Sequence, residues 1–155
     1  MTAAMRELGA SEDEAPGLAE ALSSWEPFPE VRPALEDARS RGWKLAILSN
    51  TDRDFVEASK ATIGVPFDES VVASEIGSYK PAQKHWEEFS ARTGVDPTRH
   101  VHVAQSMFHD IVVANELGLP SVWVNRLGER HDTKPTRELP DLRRLPEVLD
   151  ELVAP

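Results

Sequence analysis

Four short apolar runs punctuate the chain, and three of them end in polar residues. Lys44-Leu45-Ala46-Ile47-Leu48 runs into Ser49-Asn50. Ser70-Val71-Val72-Ala73-Ser74 is followed by a loop to Lys80-Pro81. His100-Val101-His102-Val103-Ala104 leads to Gln105 and then Asp110, and Ser121 to Val124 forms the fourth run. Runs that are short, rich in β-branched residues and nearly continuous predict strands covered on both faces, as in a parallel sheet. Between them the spacing turns helical. Val31, Leu35 and Ala38 lie on one stripe that ends at Gly42. Asp52 heads a helix over roughly 53–62 as its cap. Pro81 opens one that Gly94 stops, and residues 108–117 make another ahead of Gly118. Leu127 to Pro140 is charged and holds two prolines, so it reads as an exposed loop, and 145–152 closes the chain as a helix. Strand and helix alternate, which implies right-handed crossovers and a parallel α/β sheet flanked by helices.

In such sheets ligands bind at the carboxyl ends of the strands. Ser49, Asn50, Lys80 and Asp110 all follow strand ends, so the fold brings a hydroxyl, an amide, an ammonium and a carboxylate together. Ser49 and Asn50 supply donors for an anionic oxygen, and donors fixed where charge develops are often the largest catalytic contribution. Lys80 neutralises substrate charge or holds carboxylates in place. Asp110 has a second account, as a helix N-terminal carboxylate favoured by the dipole. His102 lies between valines inside a strand and reads as a buried structural histidine. His85, His100 and His109 show no metal-ligand spacing.

The order of these clusters resembles the haloacid dehalogenase-like (HAD) hydrolase superfamily, nearest its 2-haloacid dehalogenase branch. Leu48-Ser49-Asn50 is similar to the family's second motif, Tyr79-Lys80-Pro81 to the third, and the segment from Val103 to Asp110 to the fourth. The run from Ala114 to Arg126 resembles its closing helix and last core strand. The resemblance implies a Rossmann-type sheet and hydrolysis of small anionic substrates, with Ser49, Asn50, Lys80 and Asp110 as catalytic residues. It also implies substrate contacts from Ser49, Asn50 and Trp86, although burial as a helix anchor is the preferred account of that tryptophan. In phosphatase members two acids hold Mg²⁺. Here Gln105 takes the place of one of them, so no metal is expected, with Asp110 the ligand if Mg²⁺ is bound.

The first motif of that family, a strand ending in a nucleophilic aspartate, has no counterpart before Ser49. Asp52 and Asp54 follow the second motif, but helix capping explains Asp52 better than nucleophilic attack. The resemblance therefore implies an N-terminally truncated core: residues 1–24 a remnant of a helical cap, residues 25–155 an α/β core without its first strand. That strand would stand between Lys44–Leu48 and His100–Ala104. An open gap there would leave backbone groups unpaired. Direct pairing of the two strands is the preferred expectation, and a homodimer that fills the gap is the other. This reading makes the chain a hydrolase domain inactive by itself; the alternatives are a non-catalytic anion-binding module or half of an obligate assembly.

The remaining composition narrows the setting. The 155 residues are enough for one domain with a sizeable core, and the net charge of −10 argues against nucleic acid or an anionic membrane as partner. The chain has no cysteine, which excludes disulfides and thiolate chemistry. No apolar stretch reaches the ~20 residues of a membrane span, and the acidic N-terminus has no signal-peptide pattern. A cytoplasmic location is expected.

Overall fold

The computed structural model describes residues 25–153. The expected cap remnant, residues 1–24, lies outside them. The chain enters through an extended, proline-restricted connector into helix α1, Val31–Ser40, whose Ala34 and Ala38 are buried. Strand β1, Ala46–Ser49, follows, then α2, Arg53–Ile63. Gly64 ends α2 with φ +71°, a left-handed conformation that costs a residue without Cβ nothing. Strand β2, Glu69–Val72, passes straight into the short α3, Ala73–Ile76. Helix α4, Lys84–Thr93, leads by a single 3₁₀ turn to strand β3, His102–Ala104. A five-residue π turn, Met107–Ile111, opens helix α5, Val112–Glu116. Strands β4, Ser121–Val124, and β5, Arg137–Leu139, and helix α6, Leu145–Leu152, complete the chain.

All pairings are parallel, as the alternation predicts, and they fall into two sheets rather than one. The first is β1–β2, with Ala46 opposite Glu69 and Ser49 opposite Val72. The second is β3–β4–β5, with His102 opposite Ser121 and Val122 opposite Arg137. The expected direct pairing of β1 with β3 is not made. Each keeps one inner edge that no described strand pairs. Helix α4 instead spans the two halves. Its Trp86 packs with Val113, Ala114 and Leu119, and Leu48 of β1 lies against the same cluster. A second cluster holds α1 and α6 against β4 and β5 through Ala38, Val122, Leu139, Leu145, Val148 and Leu149.

Several boundaries differ from the expected ones for local reasons. Residues Ala73 and Ser74 are helical rather than strand, because the chain turns at once toward Gly77. The helix expected from Pro81 begins three residues later, at Lys84. Asp52 stands at the N-cap of α2 but makes no side-chain capping bond. The segment read as an exposed loop contains β5. Three residues are too few to show a period, and pairing with β4 is what makes them a strand.

Candidate active site

Lys80 stands at the centre of the predicted cluster. Its Nζ donates to the Leu48 carbonyl at 2.8 Å and to Asp110 Oδ1 at 2.6 Å, and both side chains of the pair are under 10% exposed. One ammonium thus ties the carboxyl end of β1 to the turn after β3, across the gap between the sheets. The loop carrying Lys80 is pinned by Asn50. Its Nδ2 donates to the Lys80 carbonyl at 2.9 Å, and its Oδ1 accepts from the Lys80 N–H at 2.6 Å. Asn50 was expected as a donor toward substrate; in this structure both ends of its amide hold the lysine loop. Ser49 lies at the same strand end, partly exposed.

Asp110 reaches this point because the π turn carries it inward. The turn is capped by Ser106, whose Oγ accepts from the His109 N–H, and the Ile111 N–H donates to the Ser106 carbonyl at 3.3 Å. Burial alone would raise the Asp110 carboxyl. The hydrogen bond from His102 and the adjacent Lys80 ammonium outweigh it and hold the group below the usual aspartate value.

Two histidines that spacing did not single out complete the surroundings. His102 Nε2 lies 3.0 Å from Asp110 Oδ1, and its Nδ1 accepts from the Trp86 indole at 3.2 Å. His85 is fully buried, and its Nε2 donates to the Ser49 carbonyl at 3.0 Å; its Nδ1 has no partner among the described residues. Burial pushes His85 below the ordinary histidine value, and the bond to Ser49 opposes this only in part. Neither relation was legible, because Trp86, His102 and Asp110 are 16 and 8 positions apart with no periodic link. Trp86, read as a substrate contact by resemblance, is 4% exposed with its one polar atom engaged by His102; the fold makes it a core anchor.

Among the described residues the cluster offers a magnesium ion one carboxylate, Asp110. No cluster of three or more His, Cys, Asp or Glu is placed to hold a metal among the described residues. Asp110 is the single carboxylate of the cluster, and its Oδ1 already faces a cation. Magnesium asks for an octahedron of oxygens, usually one or two carboxylates with water and substrate. Gln105 is exposed, and its carbonyl accepts from the Trp123 indole at 2.8 Å. Among the described residues no helix is long and apolar enough to cross a membrane.

Comparison with known proteins places these motifs. A family model described as haloacid dehalogenase-like hydrolase matches residues 3–118. The chain is 34% identical over 101 residues to a glyceraldehyde 3-phosphate phosphatase of Methanothermobacter thermautotrophicus, covering 64% of this chain and 45% of that protein. It is 31% identical over 129 residues to an (S)-2-haloacid dehalogenase of Pseudomonas sp. strain YL, covering 80% and 55%. The chain spans about half the length of these curated relatives. Among solved structures, the L-2-haloacid dehalogenase of Xanthobacter autotrophicus with chloropropionic acid covalently bound superposes with a TM-score of 0.81, covering 96% of this chain and 72% of that one at 22% identity. That likeness carries the fold.

Proposed function

Because the chain belongs to the haloacid dehalogenase-like hydrolase family, we propose that Ser49, Lys80 and Asp110 form the electrostatic part of an aspartate-nucleophile hydrolase site. The substrates proposed are small anions of the 2-haloacid class. In that chemistry an aspartate oxygen attacks the carbon bearing the halogen. The carbon–halogen electron pair leaves as halide, an ester forms, and water cleaves the ester to return the carboxylate.

The observation that carries the reading is the placement of Lys80 between Leu48 and Asp110. An ammonium has three N–H donors. Two are engaged among the described residues, and we assign the third to a substrate carboxylate or to the nucleophile. Asn50 fixes the loop and Asp110 fixes the head group, so the lysine is preorganised rather than free to search. The metal-independent dehalogenase type agrees with a lone carboxylate that is already salt-bridged.

This sequence holds no strand-end aspartate before Ser49, so we infer that the chain alone does not turn over. The nucleophile of the proposed site belongs in the gap between β1 and β3. Purified 155-residue protein should release no halide from 2-haloacids, and no phosphate from phosphomonoesters with or without Mg²⁺. Turnover that persists in Asp52→Asn and Asp110→Asn variants would show that the chemistry lies elsewhere. An anion-binding module is the weaker alternative, because the Lys80–Asp110 pair carries no net charge; titration calorimetry with 2-chloropropionate should find Kd above roughly 1 mM. An obligate assembly draws support from the edges of β1 and β3 that pair with no other described strand. Sedimentation of the purified chain tests it, with a monomer at micromolar concentration counting against a homodimer.

A further inference from the structure

We propose that His102 is a positioning residue for the site: carrying a single proton on Nε2, it anchors Asp110 and thereby sets where the Lys80 ammonium stands. The inference rests on the hydrolase reading for its purpose, and on hydrogen-bond geometry for its substance. An indole N–H can only donate. Trp86 Nε1 points it at His102 Nδ1 from 3.2 Å, so that nitrogen must offer its lone pair. The ring proton then belongs on Nε2, 3.0 Å from Asp110 Oδ1, which accepts it. The same oxygen accepts from Lys80 at 2.6 Å, and Lys80 donates onward to the Leu48 carbonyl.

The result is a connected network from helix α4 through β3 and the π turn to β1, in which Asp110 accepts from both sides and Lys80 donates to both of its partners. Its members are buried: Trp86 is 4% exposed, His102 7% and Asp110 6%. A histidine on the strand suits this task better than a long flexible donor, because its ring has few rotamers and packs at a 5.1 Å centroid distance from the Trp86 ring. The π turn is the second observation that points here. An extra residue in a helical turn often marks a functional position, since it re-aims a side chain at the cost of regular bonding. This one delivers Asp110 to His102 and Lys80 together.

The test is nuclear magnetic resonance on the labelled 155-residue chain at pH 7. Long-range proton–nitrogen correlations should show His102 Nδ1 unprotonated and Nε2 protonated. A proton on Nδ1 overturns the proposal. His102→Gln keeps a donor for Asp110 and should leave the Asp110 carboxyl and Lys80 Nζ resonances near their parent positions. His102→Leu removes the donor and should shift both. If the leucine variant folds and leaves both signals unmoved, His102 is a packing residue only. If neither variant folds, Trp86→Phe decides: the Asp110 carboxylate can only accept, so the proton should stay on Nε2, and a proton on Nδ1 refutes the anchoring of Asp110 by His102. Halide release that persists in Asp110→Asn would overturn the proposed function and leave the parent chain's His102 resonances where they are.

Discussion

Strands β1 and β4 are almost equally apolar, Ala-Ile-Leu-Ser against Ser-Val-Trp-Val, and they meet opposite fates. Every residue of β4 is buried; none of β1 is, and Ala46 is exposed. The difference is one of neighbours. β4 has β3 on one side and β5 on the other, with helices packed against its faces. Among the described strands β1 has β2 alone, and Lys80 joins its Leu48 carbonyl to Asp110 in the turn after β3. Burial is thus a property of position in the sheet, and composition only permits it. The less covered of the two strands is also the one whose carboxyl end meets Lys80 and, through it, Asp110.

The comparison can be broken by mutation. Trp123→Ala in β4 opens the packed sheet and should cost about 3–5 kcal/mol, while Leu48→Ala in β1 should cost no more than about 1–2, because its site is already open on one side. Urea unfolding measures both, and equal losses would mean that the gap is closed in solution.

Next in size is the ion pair that bridges the gap. Asp110→Asn leaves a buried Lys80 facing a neutral amide, with an expected loss of about 3 kcal/mol. A double variant, Lys80→Met with Asp110→Leu, should recover part of it. Measured with the single variants Lys80→Met and Asp110→Leu the double closes a cycle, and additive losses in it would deny the pair its clasping role.

Acid should weaken the β3 side in a defined window. His100, at the entrance to β3, is pushed down to about 4 by burial and by its neighbour His102, whereas an unfolded histidine titrates near 6.5. The unfolded chain therefore takes the proton first. Stability is complete above about pH 6.5 and declines as pH falls toward 4, by on the order of 2–3 kcal/mol. Below that, Asp110 adds a further loss, since its folded value is depressed and its contribution disappears as pH falls through it. Thermal melts of His100→Gln should lose most of the slope between pH 6.5 and 4.5, buried His85 keeping a smaller part of it, and a slope as steep as the parent's would assign the effect elsewhere.

The smallest expected effect is local. Amides of Val122 to Val124 should exchange at rates near global unfolding. Amides of Ile47 and Leu48 on the open edge of β1 should exchange roughly tenfold faster or more. Equal protection would mean that something pairs with β1 in solution.

Much of the fold could be read from the chain because the parallel strands are uninterrupted apolar runs and the helices carry caps and glycine stops. The meeting of Lys80 with Asp110 was legible for a related reason: polar residues at the carboxyl ends of parallel strands gather on one side of the sheet. The roles of Asn50, Trp86 and His102 were not legible. Asn50 binds a backbone 30 residues away, and His102 takes its meaning from a tryptophan on another element and an aspartate beyond a turn. Strand β5 failed for want of length, being recognisable as a strand only beside β4.

The sequence by itself therefore determined the α/β class, the parallel direction of the strands and the side of the sheet on which the polar residues gather. These follow from local periodicity and from the short-range sterics of strands and helices. Only the tertiary structure decided that the strands form two sheets instead of one, that Lys80 spans the gap between them, and that Trp86 and His102 hold Asp110 in place. Those outcomes depend on distances between residues far apart in the chain, and no local pattern encodes a distance of that kind.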